Sequence, residues 1–170
     1  MRRLQFLAAV CSIAVLFISC SKSEKGAVTG STSEAPSFIV TDISHKRIRL
    51  ADYRGKVVLL EFFASWCPPC RISAPDLRAV YEKYRDKGLV VLSISIDEGP
   101  GALSAVDSFM KEFGLPFPAV LDDGEISGQY GIVSIPTSII IDKQGAIRNR
   151  HIGMIPDMKE TLSREIEALL

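Results

Sequence analysis

Cys67 and Cys70 stand two residues apart in Cys67-Pro68-Pro69-Cys70, and the other cysteines of the 170-residue chain, Cys11 and Cys20, lie near the N-terminus. A disulfide across so short a gap closes a tiny loop and restrains the unfolded chain little, so a chemical role is favoured over a structural staple. Two thiols at this spacing serve disulfide exchange or a soft metal ion. A structural zinc site normally takes four ligands, and the sequence has no second Cys-x-x-Cys and only His45 and His151 as further soft ligands. No metal is expected, and both histidines read as surface or packing residues in turn or strand contexts.

The flanking pattern places the pair. Lys56 to Phe63 is an apolar run of strand character, and Leu77, Val80, Tyr81 and Tyr84 recur at helical spacing up to about Gly88. Cys67 therefore falls between the end of a buried strand and the start of a helix. Unpaired N–H groups and the positive end of the helix dipole favour a thiolate there. Cys67 is the expected nucleophile, facing outward, and Cys70, one turn further in, the resolving thiol. Pro68 and Pro69 occupy the first turn at no cost in helix hydrogen bonds. They bring no histidine or lysine to stabilise the thiolate further, which points towards a reductant.

In the strand before the cysteines, Val57, Leu59, Glu61 and Phe63 alternate with Val58, Leu60 and Phe62. Apolar residues on both faces mark a central strand of a covered sheet. Glu61 is the exception. A carboxylate in that position is desolvated, which raises its pKa and makes it a proton acceptor or donor near neutral pH. The other reading is a glutamate that reaches solvent at a sheet edge.

The remaining elements form an α/β pattern around this core. Ser37 to Val40 and Arg47 to Leu50 suit an N-terminal hairpin. Leu89 to Ile96 is a second buried strand, which completes a βαβ unit with parallel pairing. Leu103, Val106, Phe109, Met110 and Phe113 mark a helical face ending at Gly114, and Pro118 to Leu121 a short strand. Thr137 to Ile141 is a β-branched strand, followed by the turn sequence Asp142-Lys143-Gln144-Gly145 and an antiparallel return over Ala146 to Ile152. Met158, Leu162, Ile166 and Leu169 form a last helix opened by Pro156-Asp157.

The N-terminal segment has a different character. Met1-Arg2-Arg3 precedes fifteen mostly apolar residues, Leu4 to Ile18, and this run is short for a membrane span of roughly 20 residues but suits an export signal. Ser19-Cys20 then resembles the lipobox of bacterial lipoproteins, which implies a lipidated Cys20 and attachment to a membrane. An ordinary cleaved signal and an uncleaved anchor are the alternatives, and all three place the domain outside the cytoplasm. Residues 1–19 are read as signal, 20–35 as a flexible Ser-, Thr- and Lys-rich tether, and 36–170 as one domain. With 20 basic and 20 acidic residues, no charge excess suggests a nucleic-acid partner.

Several separated motifs, in order, resemble the thioredoxin superfamily. Glu61-Phe62-Phe63-Ala64-Ser65-Trp66-Cys67-Pro68-Pro69-Cys70, with Pro75 beyond it, is similar to the thioredoxin active-site segment. Ser134-Ile135-Pro136-Thr137 is similar to its cis-proline loop, and Gly145 and Gly153 fit its terminal hairpin. The stretch from Asp97 to Tyr130 resembles the insertion of the TlpA/ResA-like branch, whose members are exported and membrane-tethered. The resemblance implies a thioredoxin fold: a central mixed sheet flanked by helices, an N-terminal hairpin extension, and an insertion before the cis-proline strand.

It further implies a cis Pro136 beside Cys67, Ile135 offering backbone groups to an extended substrate, and Glu61 as the buried acid that exchanges a proton with Cys70. Trp66 would shield the nucleophile, with core packing as the other reading. Ser73 stands where ResA-like proteins carry a glutamate. The implied activity is thiol–disulfide exchange on exported proteins, with electrons from a membrane thiol donor and no cofactor beyond the Cys67–Cys70 disulfide. Two other classes stay open: a peroxiredoxin-like thiol peroxidase, suggested by Ala35-Pro36-Ser37-Phe38, and a Cu(I) carrier using Cys67, Cys70 and a histidine.

Overall fold

The computed structural model describes residues 33–170; the expected signal, Cys20 and most of the expected tether lie outside them. Seven consecutive buried residues, Val57–Phe63, form strand β3 at the centre of a five-stranded sheet. The hairpin before it is β1 (Ile39–Thr41) and β2 (Arg47–Arg49), paired antiparallel as a separate two-stranded sheet. Asp42 Oδ1 closes its turn by accepting the Ser44 and Lys46 N–H groups, and His45 takes the left-handed conformation there.

The other strands are β4 (Leu89–Ser95), β5 (Ala119–Leu121), β6 (Thr137–Ile141) and β7 (Ile147–Ile152), in the order β5-β4-β3-β6-β7. β3 pairs parallel with β4 and antiparallel with β6, so the sheet is mixed. Among the described residues four α-helices accompany it: α1 (Pro68–Tyr84), α2 (Ala102–Glu112), α3 (Glu125–Gln129) and α4 (Met158–Glu167). This is the thioredoxin arrangement, with α2, β5 and α3 lying between β4 and β6 in the chain.

The alternation in β3 divides the core as its sequence predicts. Val57, Leu59 and Phe63 pack with Leu77 of α1, Phe109 of α2 and Leu162 of α4. Val58, Leu60 and Phe62 pack on the other face with Ile48, Ile126 of α3 and Tyr130. Burial on both faces is what stabilises a central strand, since each large apolar side chain removed from water contributes about 1.5–3 kcal/mol.

Three local features differ from the sequence reading. Leu50 belongs to a 3-10 turn (Leu50–Tyr53) and not to the preceding strand, because its side chain turns into the core while its N–H donates to Phe38 O at 3.2 Å. The helix α3 was not expected. It is five residues long, and Asp122 holds its start by accepting the Ile126 and Ser127 N–H groups at 3.0 and 2.9 Å.

The packed region also begins before Pro36. Ile147 N–H donates to Ser33 O and Ala35 N–H to Gly145 O, both at 2.9 Å, with Ala35 buried. This pairing uses backbone groups, which composition does not reveal. Downstream, the Tyr130 hydroxyl donates to Pro36 O at 2.8 Å, and its ring meets Phe38 edge-on.

Candidate active site

The end of β3 leads through Ala64, Ser65 and Trp66 to Cys67, which has extended backbone angles and precedes the first residue of α1. Pro68 and Pro69 fill the first two helical positions, where no backbone donor is needed. The Cys70 N–H therefore points back along the axis and donates to Cys67 Sγ at 3.2 Å. In the reduced form the same N–H and the helix dipole favour negative charge on that sulfur. Cys67 and Cys70 are joined as a disulfide, with Cα atoms 5.3 Å apart.

Cys67 does not face outward in this state: both cysteines are only 3% exposed. Cys67 belongs to the buried cluster that includes Phe63, Ala64 and Ala74, against which Ile135 packs. Its neighbour Trp66 is 65% exposed, which removes the core-packing reading of that side chain.

Charged side chains grip the segment carrying Trp66 and Cys67 from two directions. Buried Asp97, just beyond β4, accepts the Ser65 N–H at 2.8 Å and the Ser65 hydroxyl at 2.5 Å, and the Ser95 hydroxyl donates to it at 2.7 Å. Arg71 of α1 donates to Ser65 O at 3.4 Å, pairs with Glu112 and lies over the Phe113 ring. Sequence reasoning passed over Asp97, Ser65 and Arg71. The available signal was an acid immediately after a buried strand.

Glu61 is 3% exposed on the α1 side of β3, so the solvent-reaching reading fails. Across the sheet it stands between Ser93 of β4 and Ser138 of β6, and the Ser138 hydroxyl donates to Glu61 Oε2 at 2.5 Å. Burial pushes the carboxyl up to about 7, and the Ser138 hydrogen bond opposes that rise by favouring the charged form. Glu61, Cys70, Ser73 and Ser93 line one small cavity of about 10 Å³. That volume is near the lower limit for a single water, the size of relay that would link carboxyl to thiol. The Ser73 hydroxyl donates to Cys70 O at 3.1 Å, so no second carboxylate occupies this position.

The Ile135–Pro136 bond is cis. The loop is held by Thr137 Oγ1 donating to Ser134 O and by Gly153 N–H donating to Pro136 O, both at 2.8 Å. Ile135 makes no backbone hydrogen bond among the described residues. Pro136, Glu61, Ser73 and Ser138 border a common crevice, which brings the proline loop to the buried acid. The histidines lie elsewhere: His45 is exposed in the β1–β2 turn, and His151 Nε2 sits 2.8 Å from Glu165 Oε2. Among the described residues no three His, Cys, Asp or Glu side chains converge as a metal centre would need.

Residues 32–150 match the AhpC/TSA family. Thiol-disulfide oxidoreductase ResA of Bacillus anthracis is 41% identical over 121 residues, 71% of this chain and 68% of that protein. The ResA of Geobacillus kaustophilus is 36% identical over 149 residues, covering 86% of this chain and 82% of the relative. Among solved structures, a thiol:disulfide interchange protein of the thioredoxin family from Chlorobium tepidum superposes with a TM-score of 0.73 at 28% identity. That match covers 81% of this chain and 96% of the other. With its cysteine pair at the start of α1 and a cis-proline loop beside the buried acid, the chain belongs to the thioredoxin-like AhpC/TSA family and, within it, to the ResA-like thiol–disulfide oxidoreductases.

Proposed function

We propose that the protein reduces disulfides of exported proteins, with Cys67 as nucleophile, Cys70 as resolving thiol and Glu61 as proton acceptor. The observation that carries this reading is the inequality of the two sulfurs. Cys67 Sγ receives a helix N–H, whereas Cys70 shares a cavity with a buried carboxyl. In the forward direction the Cys67 thiolate attacks one substrate sulfur, the substrate disulfide breaks, and its other sulfur leaves as a thiolate. Cys70 then gives its proton to the Glu61 carboxylate and attacks Cys67. The mixed disulfide breaks, the second substrate sulfur leaves, and two electrons have passed to the substrate. The reading requires no metal or organic cofactor, since the dithiol carries the electron pair.

Trp66, Ile135 and Pro136 are the proposed substrate-contacting residues. An exposed indole supplies apolar area, and the Ile135 backbone groups suit pairing with an extended chain. A reducing direction is supported by the Pro68–Pro69 pair, which adds no charge to hold the thiolate. Known potentials run from about −270 mV for thioredoxin to about −120 mV for the oxidant DsbA, and this protein belongs nearer the former. Such a reductant needs electrons from a membrane thiol donor in an oxidising compartment. Export and attachment rest on residues 1–19 as signal and Cys20 as the lipidated residue. Among the described residues no helix is long and apolar enough to cross a membrane.

The test is a Cys70→Ser variant. Without the resolving thiol, a covalent adduct on Cys67 should accumulate with disulfide-bearing proteins and disappear on adding dithiothreitol. Absence of any adduct would falsify the exchange mechanism. Peroxide consumption by the wild-type protein without a disulfide substrate would favour the peroxidase reading instead.

A further inference from the structure

Beside the cis-proline loop the molecule opens into a groove of about 390 Å³. Ile96, Val133 and Ile135 give it apolar walls, and Glu98, Asp122 and Ser127 border it. Val133 is 85% exposed, so its side chain is open to a ligand entering the groove. Because Ser134 and Ile135 form part of the wall, the groove is continuous with the segment proposed to pair with substrate. An extended peptide hydrogen-bonded at Ile135 sends alternate side chains to opposite sides, so a residue flanking its cysteine can enter the groove.

The two carboxylates of the groove differ in availability. Asp122 is occupied, one oxygen on the Ile126 N–H and the other on the Ser127 N–H. Glu98 is exposed and takes part in no ion pair among the described residues. No cation competes for it nearby in the chain: from Gly88 to Ile141 the only basic residue is Lys111, which pairs with Asp107 at 2.6 Å.

We propose that this groove selects substrate disulfides flanked by a lysine or arginine, whose aliphatic stem lies along Ile96 and Val133 and whose charge meets Glu98. The inference rests on the exchange reading above and adds a substrate class to it. Long cationic side chains bury an apolar stem while keeping the charged head in water, which is the pattern this groove offers. A flanking acidic residue would instead meet a like charge without a compensating cation.

The experiment compares disulfide-bonded peptides identical except for arginine, norleucine or glutamate next to the cysteine, each reduced by the full-length reduced protein. Arginine should raise kcat/KM about fivefold over norleucine, the ratio a partly exposed ion pair can supply, and glutamate should lower it. Glu98→Lys should reverse the order of the charged peptides. Added salt should compress the spread in the wild type. An arginine rate no higher than the norleucine rate, or an unchanged order in Glu98→Lys, overturns the inference. Exchange with the norleucine peptide shows that the underlying reaction holds, so these failures concern the groove alone. No exchange with any peptide overturns the reaction reading together with the inference.

Discussion

Glu61 couples the chemistry of the site to the stability of the fold. Its carboxyl titrates near 7 in the folded protein, above the ordinary value of 4.5, because burial disfavours its charge. Between those values the folded state keeps a proton that the unfolded chain releases. Stability therefore falls as pH rises through that window, by at most on the order of 3 kcal/mol for this one group. Glu61→Gln removes the titration, so its denaturation midpoint should gain on the wild type between pH 5 and pH 8. The same variant should slow resolution of the mixed disulfide at pH 7 by at least about tenfold while leaving attack by Cys67 intact. Stopped-flow measurements across pH separate the two steps, and equal resolution rates throughout would remove the proposed role. That Glu61 is special was readable from one carboxylate in an apolar strand. Its partner Ser138 was not, because it becomes a neighbour only through the antiparallel register of β3 and β6.

The connection from β3 to α1 depends on a side chain contributed by the end of β4. Asp97 accepts hydrogen bonds from Ser65 N–H, Ser65 Oγ and Ser95 Oγ, and removing it takes the partner from the buried Ser95 hydroxyl and from two half-buried Ser65 donors. Asp97→Ala should cost about 1–3 kcal/mol in denaturant unfolding and also change the pH dependence of Cys67 attack, since the segment bearing Cys67 loses its anchor. Asp97→Asn, which keeps one acceptor oxygen, should recover part of both. An unaltered attack profile in Asp97→Ala would confine the residue to stability. Elements with strong period were legible from sequence: β3, β4 and β6 as buried runs, α1, α2 and α4 as amphipathic faces. Helix α3 was not, because five residues carry too little periodicity and its start depends on N–H groups donating to Asp122.

Over the whole molecule, the N-terminal part of the described chain is built into the domain and does not merely lead to it. Ser33 and Ala35 pair with the β6–β7 turn, Pro36 receives the Tyr130 hydroxyl, and Phe38 packs on the face that holds Phe62. Relative to a chain starting at Ser33, one starting at Phe38 should lose about 1–3 kcal/mol through broken pairing and an unpaired buried hydroxyl. Calorimetry of the two truncations checks this, and equal melting temperatures would show that residues 33–37 contribute nothing.

The location of that pairing has a consequence for orientation. Gly55 N–H donates to Lys143 O, which sets the β6–β7 turn beside the start of β3, while Cys67 follows the end of the same strand. The polypeptide thus enters the domain and exchanges electrons at opposite ends of a strand about 20 Å long. Copies of residues 33–170 immobilised on a bead or electrode through Ser33 would present the sulfur pair away from the support.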